Sequence, residues 1–279
     1  MTTPASVPTA PAPAPSPRPR PGGSALRRMV LAVAIVVMVV LFAFGAWTAV
    51  GFATLRSAER HQSFAFTGSR LVVGTSNGSI HVTAGQAGRV EVDTHLRYSQ
   101  LNPPHPTVRA DGGQLTLKDG CPNGVVIFCD VSFDLRVPAA LALQLTTSNG
   151  AVAVSGVTGA LDVHTSNGSI TADGATGQLS LRTSNGAIRA RDLHTAVVDA
   201  TTSNGSVTVS FLTTPTHVAV NTSNGAVRVT VPGGSGPYRV DVTTDNGSRT
   251  VDVPTDPNAT RTISVRTSNG SVHVLPAAS

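Results

Sequence analysis

Residues 161–172 read Leu-Asp-Val-His-Thr-Ser-Asn-Gly-Ser-Ile-Thr-Ala: an alternating apolar stretch, a four-residue word, and a second alternating stretch. The word Thr-Ser-Asn-Gly begins at Thr75, Thr147, Thr165, Thr183, Thr202, Thr222 and Thr267, and Thr244 opens a near copy, Thr-Asp-Asn-Gly. From Asn149 the asparagines recur at 167, 185, 204, 224, 246 and 269, so the spacing runs 18, 18, 19, 20, 22 and 23 residues. A period of that length marks a stacked repeat.

Apolar residues stand four and two places before each Thr, as in Leu143/Leu145, Leu161/Val163 and Leu179/Leu181. Others stand three and five places after each Asn, as in Val152/Val154, Ile170/Ala172 and Ile188/Ala190. This period of two predicts strand, tight turn, strand in every copy, with one side of each strand inward. Arg249 departs from it, standing where other copies have Ile or Val. Asn-Gly between alternating strands is also a hairpin signal, because both residues tolerate the positive φ of a primed turn. A meander or prism of hairpins therefore competes with a solenoid. The whole unit returns in phase, which favours the solenoid, where like side chains lie about 4.8 Å apart. The expected fold class is all-β, a single-stranded β-helix with coils of 18–23 residues preceded by one transmembrane α-helix.

Four arginines, Arg18, Arg20, Arg27 and Arg28, precede residue 29 with no acidic residue among them, which leaves the rest of the chain with 16 basic against 15 acidic residues. A nearly neutral repeat region gives no basic face for nucleic acid. Residues 29–55 carry no charge, and a helix of that length reaches about 40 Å, enough to span a bilayer core with some tilt. A cleaved signal with Gly51-Phe52-Ala53 as its processing site is the other reading, but the apolar run exceeds an h-region of about 7–15 residues. Arginines before the span, against Arg56, Glu59 and Arg60 after it, put the N-terminus in the cytoplasm and the repeats outside the plasma membrane. The domains read as a Pro/Ala-rich tail (1–28), a transmembrane helix in the lipid bilayer (29–55), a linker (56–62) and a solenoid (63–279), whose first strand includes Phe64 and Phe66. The tail is a solvated spacer by composition, with a PxxP ligand as the alternative.

Asn77 and Asn149 stand 72 residues apart with no copy of the word between them. Val90, Val92 and Thr94 repeat the phase of Leu71, Val73 and Thr75, so degenerate coils are expected there, interrupted by a loop at Leu101-Asn-Pro-Pro-His-Pro106. Cys121 and Cys129, the only cysteines, bracket the turn signal Pro122-Asn123-Gly124. In an oxidising compartment they should form a disulfide contributing about 2.5 kcal/mol by loop closure.

The order Phe64-x-Phe66, Leu71-x-Val73-x-Thr75-Ser-Asn-Gly-Ser-Ile80-x-Val82, then Leu135-Arg-Val-Pro138 and successive Thr-Ser-Asn-Gly coils resembles the bacterial DUF4097 family, labelled "putative adhesin" and related to the toastrack domains. The resemblance extends over about residues 63 to 276. It implies a single-stranded β-helix outside a membrane anchor, with relatives tied to cell-envelope stress systems, and it brings no catalytic or ligand residues.

The residues themselves offer little chemistry. Along one outward column run Asp162, Ser180, Asp199, Ala219, Asp241 and Ser264. Its acids are two coils apart, about 9.6 Å, at the far edge of an inverting glycosidase pair. His81 and His273 share a repeat position but are far apart, no base recurs beside the Ser and Thr hydroxyls, and the Thr share the inward phase, which disfavours ice binding. No catalytic, cofactor-binding or metal residues are assigned and no cofactor is expected. The side chains of Asn77, Asn149, Asn167, Asn185, Asn204, Asn224, Asn246 and Asn269 are expected to stack as a turn ladder bonding the backbone, with Asn269 in the terminal coil. The functional expectation is a non-enzymatic, membrane-anchored envelope protein whose outer solenoid binds an envelope protein or a wall polymer. Regulation of envelope-stress sensing is the alternative, and a carbohydrate-active enzyme stands third.

Overall fold

The computed structural model describes residues 23–53, 55–100, 103–122 and 128–277 and falls into two units, Met1–Val50 and Gly51–Ser279. In the first, helix α1 spans Gly23–Ala53. Its stretch Arg27–Ala46 has a mean hydropathy of 3.0 with none of it buried, which makes it long and apolar enough to cross a membrane. The helix starts before residue 29 because the proline run ends at Pro21, and nothing after it withholds a backbone donor. Residues 1–22 of the expected tail lie outside the described residues.

The second unit is built of strands. The first seven are β1 (Leu55–Ala65), β2 (Arg70–Thr75), β3 (Ile80–Gly85), β4 (Arg89–Ser99), β5 (Thr107–Asp111), β6 (Gln114–Lys118) and β7 (Cys129–Pro138). Regular coils follow as pairs: β8 (Ala142–Thr147) with β9 (Val152–Ser155), β10 (Leu161–Thr165) with β11 (Ile170–Asp173), and β12 (Leu179–Thr183) with β13 (Ile188–Leu193). Next come β14 (Val197–Asn204) with β15 (Val207–Phe211) and β16 (His217–Asn224) with β17 (Val227–Val231). Last are β18 (Arg239–Asn246) with β19 (Arg249–Val251) and β20 (Thr262–Asn269) with β21 (Val272–Pro276). The strand before each word lies in one sheet and the strand after it in the other, so each coil crosses between two sheets at its word.

Neighbouring coils pair parallel and in register, Leu161 beside Leu179 and Ile170 beside Ile188. The solenoid reading therefore holds over the meander. Side chains of the inward phase fill the space between the sheets: Leu71, Leu143, Leu161 and Leu179 on one side and Ile80, Val152, Ile170 and Ile188 on the other are at most 2% exposed. Each contributes about 1.5–3 kcal/mol by leaving water.

The spatial order of coils differs from the chain order at both ends. The first word's strand β2 pairs directly with β8, so the interval between them holds no run of degenerate coils. Instead β6 and β7 lie on the far side of β2 and β3. Strand β4 then adds antiparallel to β7, β1 adds antiparallel to β4, and β5 adds antiparallel to β6. Val90 and Val92 are buried as their phase implied, but alternation with a period of two carries no information on strand direction. At the other end β20 inserts between β16 and β18, which places the coil of Asn246, not that of Asn269, at the terminus.

Residues 56–62, expected to be a linker, belong to β1. That strand is mostly exposed and is held by backbone pairing to β4, so it lacks the apolar alternation that reveals a strand. Phe66 joins the core, with Phe64 packed against it. The loop at Pro103–Pro106 is present, while Leu101, Asn102, Asn123 and Gly124 lie outside the described residues.

Coil order is testable by cysteine pairs at outward positions. Ala219→Cys with Ser264→Cys joins adjacent strands, about 4.8 Å apart, and should crosslink readily. Ala219→Cys with Asp241→Cys, a coil further apart at about 9.6 Å, should not. Crosslinking of the second pair in preference to the first would contradict the inserted coil.

Candidate functional site

Each residue of the repeated word has a separate task. The Thr is buried and its hydroxyl donates to the Gly carbonyl of the adjoining coil: Thr147 to Gly78, Thr165 to Gly150, Thr183 to Gly168, Thr202 to Gly186 and Thr222 to Gly205, at 2.9–3.1 Å. Thr267 donates to Gly225 at 3.2 Å and Thr244 to Gly270 at 3.0 Å, while Thr75 reaches the Val131 carbonyl at 2.8 Å. A buried hydroxyl left unpaired would be costly, so these contacts make Thr acceptable in an apolar column.

The Gly permits close approach. A Cβ on Gly168 would stand 1.9 Å from the Gly150 carbonyl oxygen, one on Gly186 would stand 2.0 Å from that of Gly168, and the same holds at 2.0–2.1 Å for Gly205, Gly225, Gly270 and Gly247. The expected primed turn is absent. Asp192 is the only described non-glycine residue with positive φ, and of the word's glycines only Gly270, at 158°, has one. The chain bends across the word without a left-handed residue, and the coil beneath, not the dihedral, selects glycine.

The Asn side chains form one amide chain on the exposed ridge. Nδ2 of Asn149 donates to Oδ1 of Asn77 at 2.7 Å, Asn167 to Asn149, Asn185 to Asn167 and Asn204 to Asn185 at 2.9 Å, and Asn224 to Asn204 at 3.0 Å. Asn269 then donates to Asn224 at 2.9 Å and Asn246 to Asn269 at 3.0 Å. The bonds run from amide to amide, where backbone partners were expected, because stacked copies put each Nδ2 beside the next Oδ1. Cys121 and Cys129 are joined as a disulfide with a Cα separation of 6.1 Å.

The groove richest in ionisable groups lies elsewhere, on the outer face of β1, β4, β7 and β3, with a volume of about 580 Å³. One row of it reads His61, Asp93, Asp134, His81 across the four strands. Two carboxylates opposite each other repel, and imidazoles offset this. His61 Nδ1 lies 2.5 Å from Asp93 Oδ1 and His95 Nε2 lies 2.9 Å from Asp134 Oδ2. His81 Nδ1 is 3.5 Å from Asp134 Oδ1, and His95 Nδ1 is 3.4 Å from Glu59 Oε1. Arg60 and Arg136 also line the groove, and Arg136 pairs with Glu91 at 3.5 Å. On β7 beside the groove, burial pushes the Asp130 carboxyl above the ordinary carboxylate range, partly offset by a hydrogen bond from Ser132 and the charge of Arg97. Among the described residues no three His, Cys, Asp or Glu side chains converge as a metal site. The groove offers hydrogen-bond donors and acceptors to a polar ligand.

Sequence reading missed this groove because three of its four strands, β1, β4 and β7, carry no repeat word and meet through antiparallel pairs. His81 was noted only against His273, which stands six strands away. The outward acids of the other sheet are tied in ion pairs: Arg182 lies 3.7 Å from Asp162 and 3.4 Å from Asp199, and Arg266 lies 3.1 Å from Asp241.

The family model described as "Toastrack DUF4097" matches residues 107–275, which leaves the first word outside the matched span although Asn77 shares the ladder. Among solved structures, the chain is similar to a "putative adhesin" from Bacteroides fragilis, with 13% identity, 79% of this chain and 97% of that one covered, and a TM-score of 0.44. A "putative adhesin" from Parabacteroides merdae shows 11% identity, coverage of 79% and 96%, and a TM-score of 0.45. A "putative lipid binding protein" from Parabacteroides distasonis shows 10% identity, coverage of 79% and 97%, and a TM-score of 0.42. No curated protein matches the sequence.

The ladder predicts graded losses in thermal unfolding. Asn185→Ala removes two amide bonds and should cost about 1–2 kcal/mol, whereas Asn246→Ala removes one and should cost about half as much. Equal losses at the two positions would show that the amides act singly. Gly186→Ala, whose Cβ meets backbone at 2.0 Å, should cost more than either, because the coils cannot part without breaking strand pairs.

Proposed function

Since the chain belongs to the Toastrack DUF4097 family, we propose that it is a non-enzymatic envelope protein whose α1 anchors it in the plasma membrane and whose solenoid is an extracytoplasmic binding scaffold. The observation that carries this reading is the groove over β1, β4, β7 and β3. Its lining includes the polar side chains of His61, His81, His95, Glu59, Asp93 and Asp134, which suit hydroxyl and amide groups such as those of a cell-wall polymer. The rigid core supports a binding role, since a surface fixed by stacked backbone binds without ordering cost. The ion-paired acids of the other sheet favour an inert face over an acid/base pair.

Anchorage and orientation rest on the apolar span and on the arginines ahead of it. Protease added to intact spheroplasts should remove the repeats and spare the N-terminal tail. Repeats that survive would reverse the orientation.

Binding is tested by cosedimentation of the full-length protein in detergent with isolated cell wall. His95→Ala combined with Asp134→Ala should weaken it at least about fivefold, the worth of one lost hydrogen bond. Unchanged cosedimentation in that variant would remove the groove from the binding site, and hydrolysis of the wall by the wild-type protein would overturn the non-enzymatic reading.

A further inference from the structure

Every Asn-Gly pair carries the atoms of an internal rearrangement, in which the Gly nitrogen closes on the Asn side-chain carbon to give a five-membered succinimide. The ladder restrains both partners in three coils and the carboxamide alone in others. At Asn204, Asn224 and Asn269 the carboxamide donates to one neighbour and accepts from the other. The next residue's N–H is also held, Gly205 donating to the Asn224 carbonyl, Gly225 to that of Asn269 and Gly270 to that of Asn246, each at 2.9 Å. Asn149, Asn167 and Asn185 likewise have amide bonds on both sides. Asn77 has one, but Gly78 is buried with the Val131 carbonyl 2.2 Å from its Cβ position, and the Val131 N–H donates to the Asn77 carbonyl at 2.9 Å.

Asn246 stands apart because β18 is the edge strand of its sheet. Its Nδ2 donates to Asn269, but its Oδ1 accepts nothing from the described residues. No coil follows in the direction in which Gly270 donates to Asn246, so the Gly247 N–H has no partner among the described residues. Both residues are exposed, so the ring can form and water can reach it.

We propose that Asn246-Gly247 is a site of spontaneous deamidation whose reactivity is set by its place at the open end of the ladder. The Gly247 nitrogen bonds to Asn246 Cγ, the Cγ–Nδ2 bond breaks, and Nδ2 leaves as ammonia, with the proton lost from Gly247 replaced on it through solvent. One water then opens the succinimide at either carbonyl, giving aspartate or isoaspartate. The product carboxylate has no donor for Asn269 Oδ1, so the last amide bond is lost. The isoaspartate form adds a methylene to the backbone and takes Gly247 out of step with Gly270.

The full-length protein in detergent, held in mildly alkaline buffer and sampled by peptide mass spectrometry, tests this. In the folded protein the gain of one mass unit at Asn246 should be at least about tenfold faster than at Asn224, where Asn269 donates to the carboxamide oxygen and the Gly225 N–H is held, as expected when those two hydrogen bonds no longer oppose the reaction. In urea the nine Asn-Gly peptides should react at similar rates. A rate at Asn246 no greater than at Asn224 in the folded protein, or the same lead for Asn246 in urea, overturns the proposal, as does a folded protein left unmodified while the urea-treated chain reacts.

Discussion

The solenoid depends on one steric constraint, the stacking of glycine on glycine carbonyl where the chain passes from one sheet to the other. From Gly78 through Gly225 and on to Gly270 and Gly247, each turn lies so close to the next that no side chain fits between them. Backbone spacing at the turn must equal the strand spacing on either side, about 4.8 Å, or the sheets would splay. A Cβ of any kind would force the turn apart while the ladders hold the strands together. Glycine is therefore fixed at this position by packing, in coils whose lengths otherwise drift from 18 to 23 residues.

Two polar ladders follow from that approach, and they differ in burial. The Thr hydroxyls reach Gly carbonyls at a buried position, where an unmet polar group would cost about 1–3 kcal/mol. Valine would fill the same space but leave the carbonyl without its hydroxyl donor. The Asn ladder lies on the exposed ridge, where water competes for each amide, so its bonds are individually weak. Its contribution is registry, since a one-coil mismatch would unpair every amide beyond it.

The repeat word made the coil, the parallel register and the inward columns legible, because each rests on local spacing. It also misled at the turn. Asn-Gly signals positive φ when a hairpin is the only context, whereas here the neighbouring coil supplies the constraint. What the sequence left hidden was non-local. The pairing of β2 with β8 across the interval, and of β16 with β20 across β18, depends on which coil reaches an open edge, and copies so alike carry no address. The groove of His61, Asp93, Asp134, His81 and His95 was invisible for the same reason, since His61 and Asp134 are far apart in the chain and share no motif.

A stack of near-identical coils has no intrinsic reason to stop, and an open sheet end invites another strand. The two ends answer this differently. At one, the chain reverses so that β4 and β5 add antiparallel to the last parallel strands, and β1 closes the β4 side with a mostly exposed edge that carries Arg56, Glu59 and Arg60, charges that discourage another strand. At the other, Arg249 takes the inward position opposite Val272 and its guanidinium bonds the Val242 carbonyl on the edge strand at 3.4 Å. An arginine there puts charge where a further coil would need Ile or Val, so growth ends at a side chain that the repeat pattern alone marks as out of place. The same open end that stops growth leaves the final amide and its glycine uncovered, so ending the stack exposes the bonds that the interior coils protect.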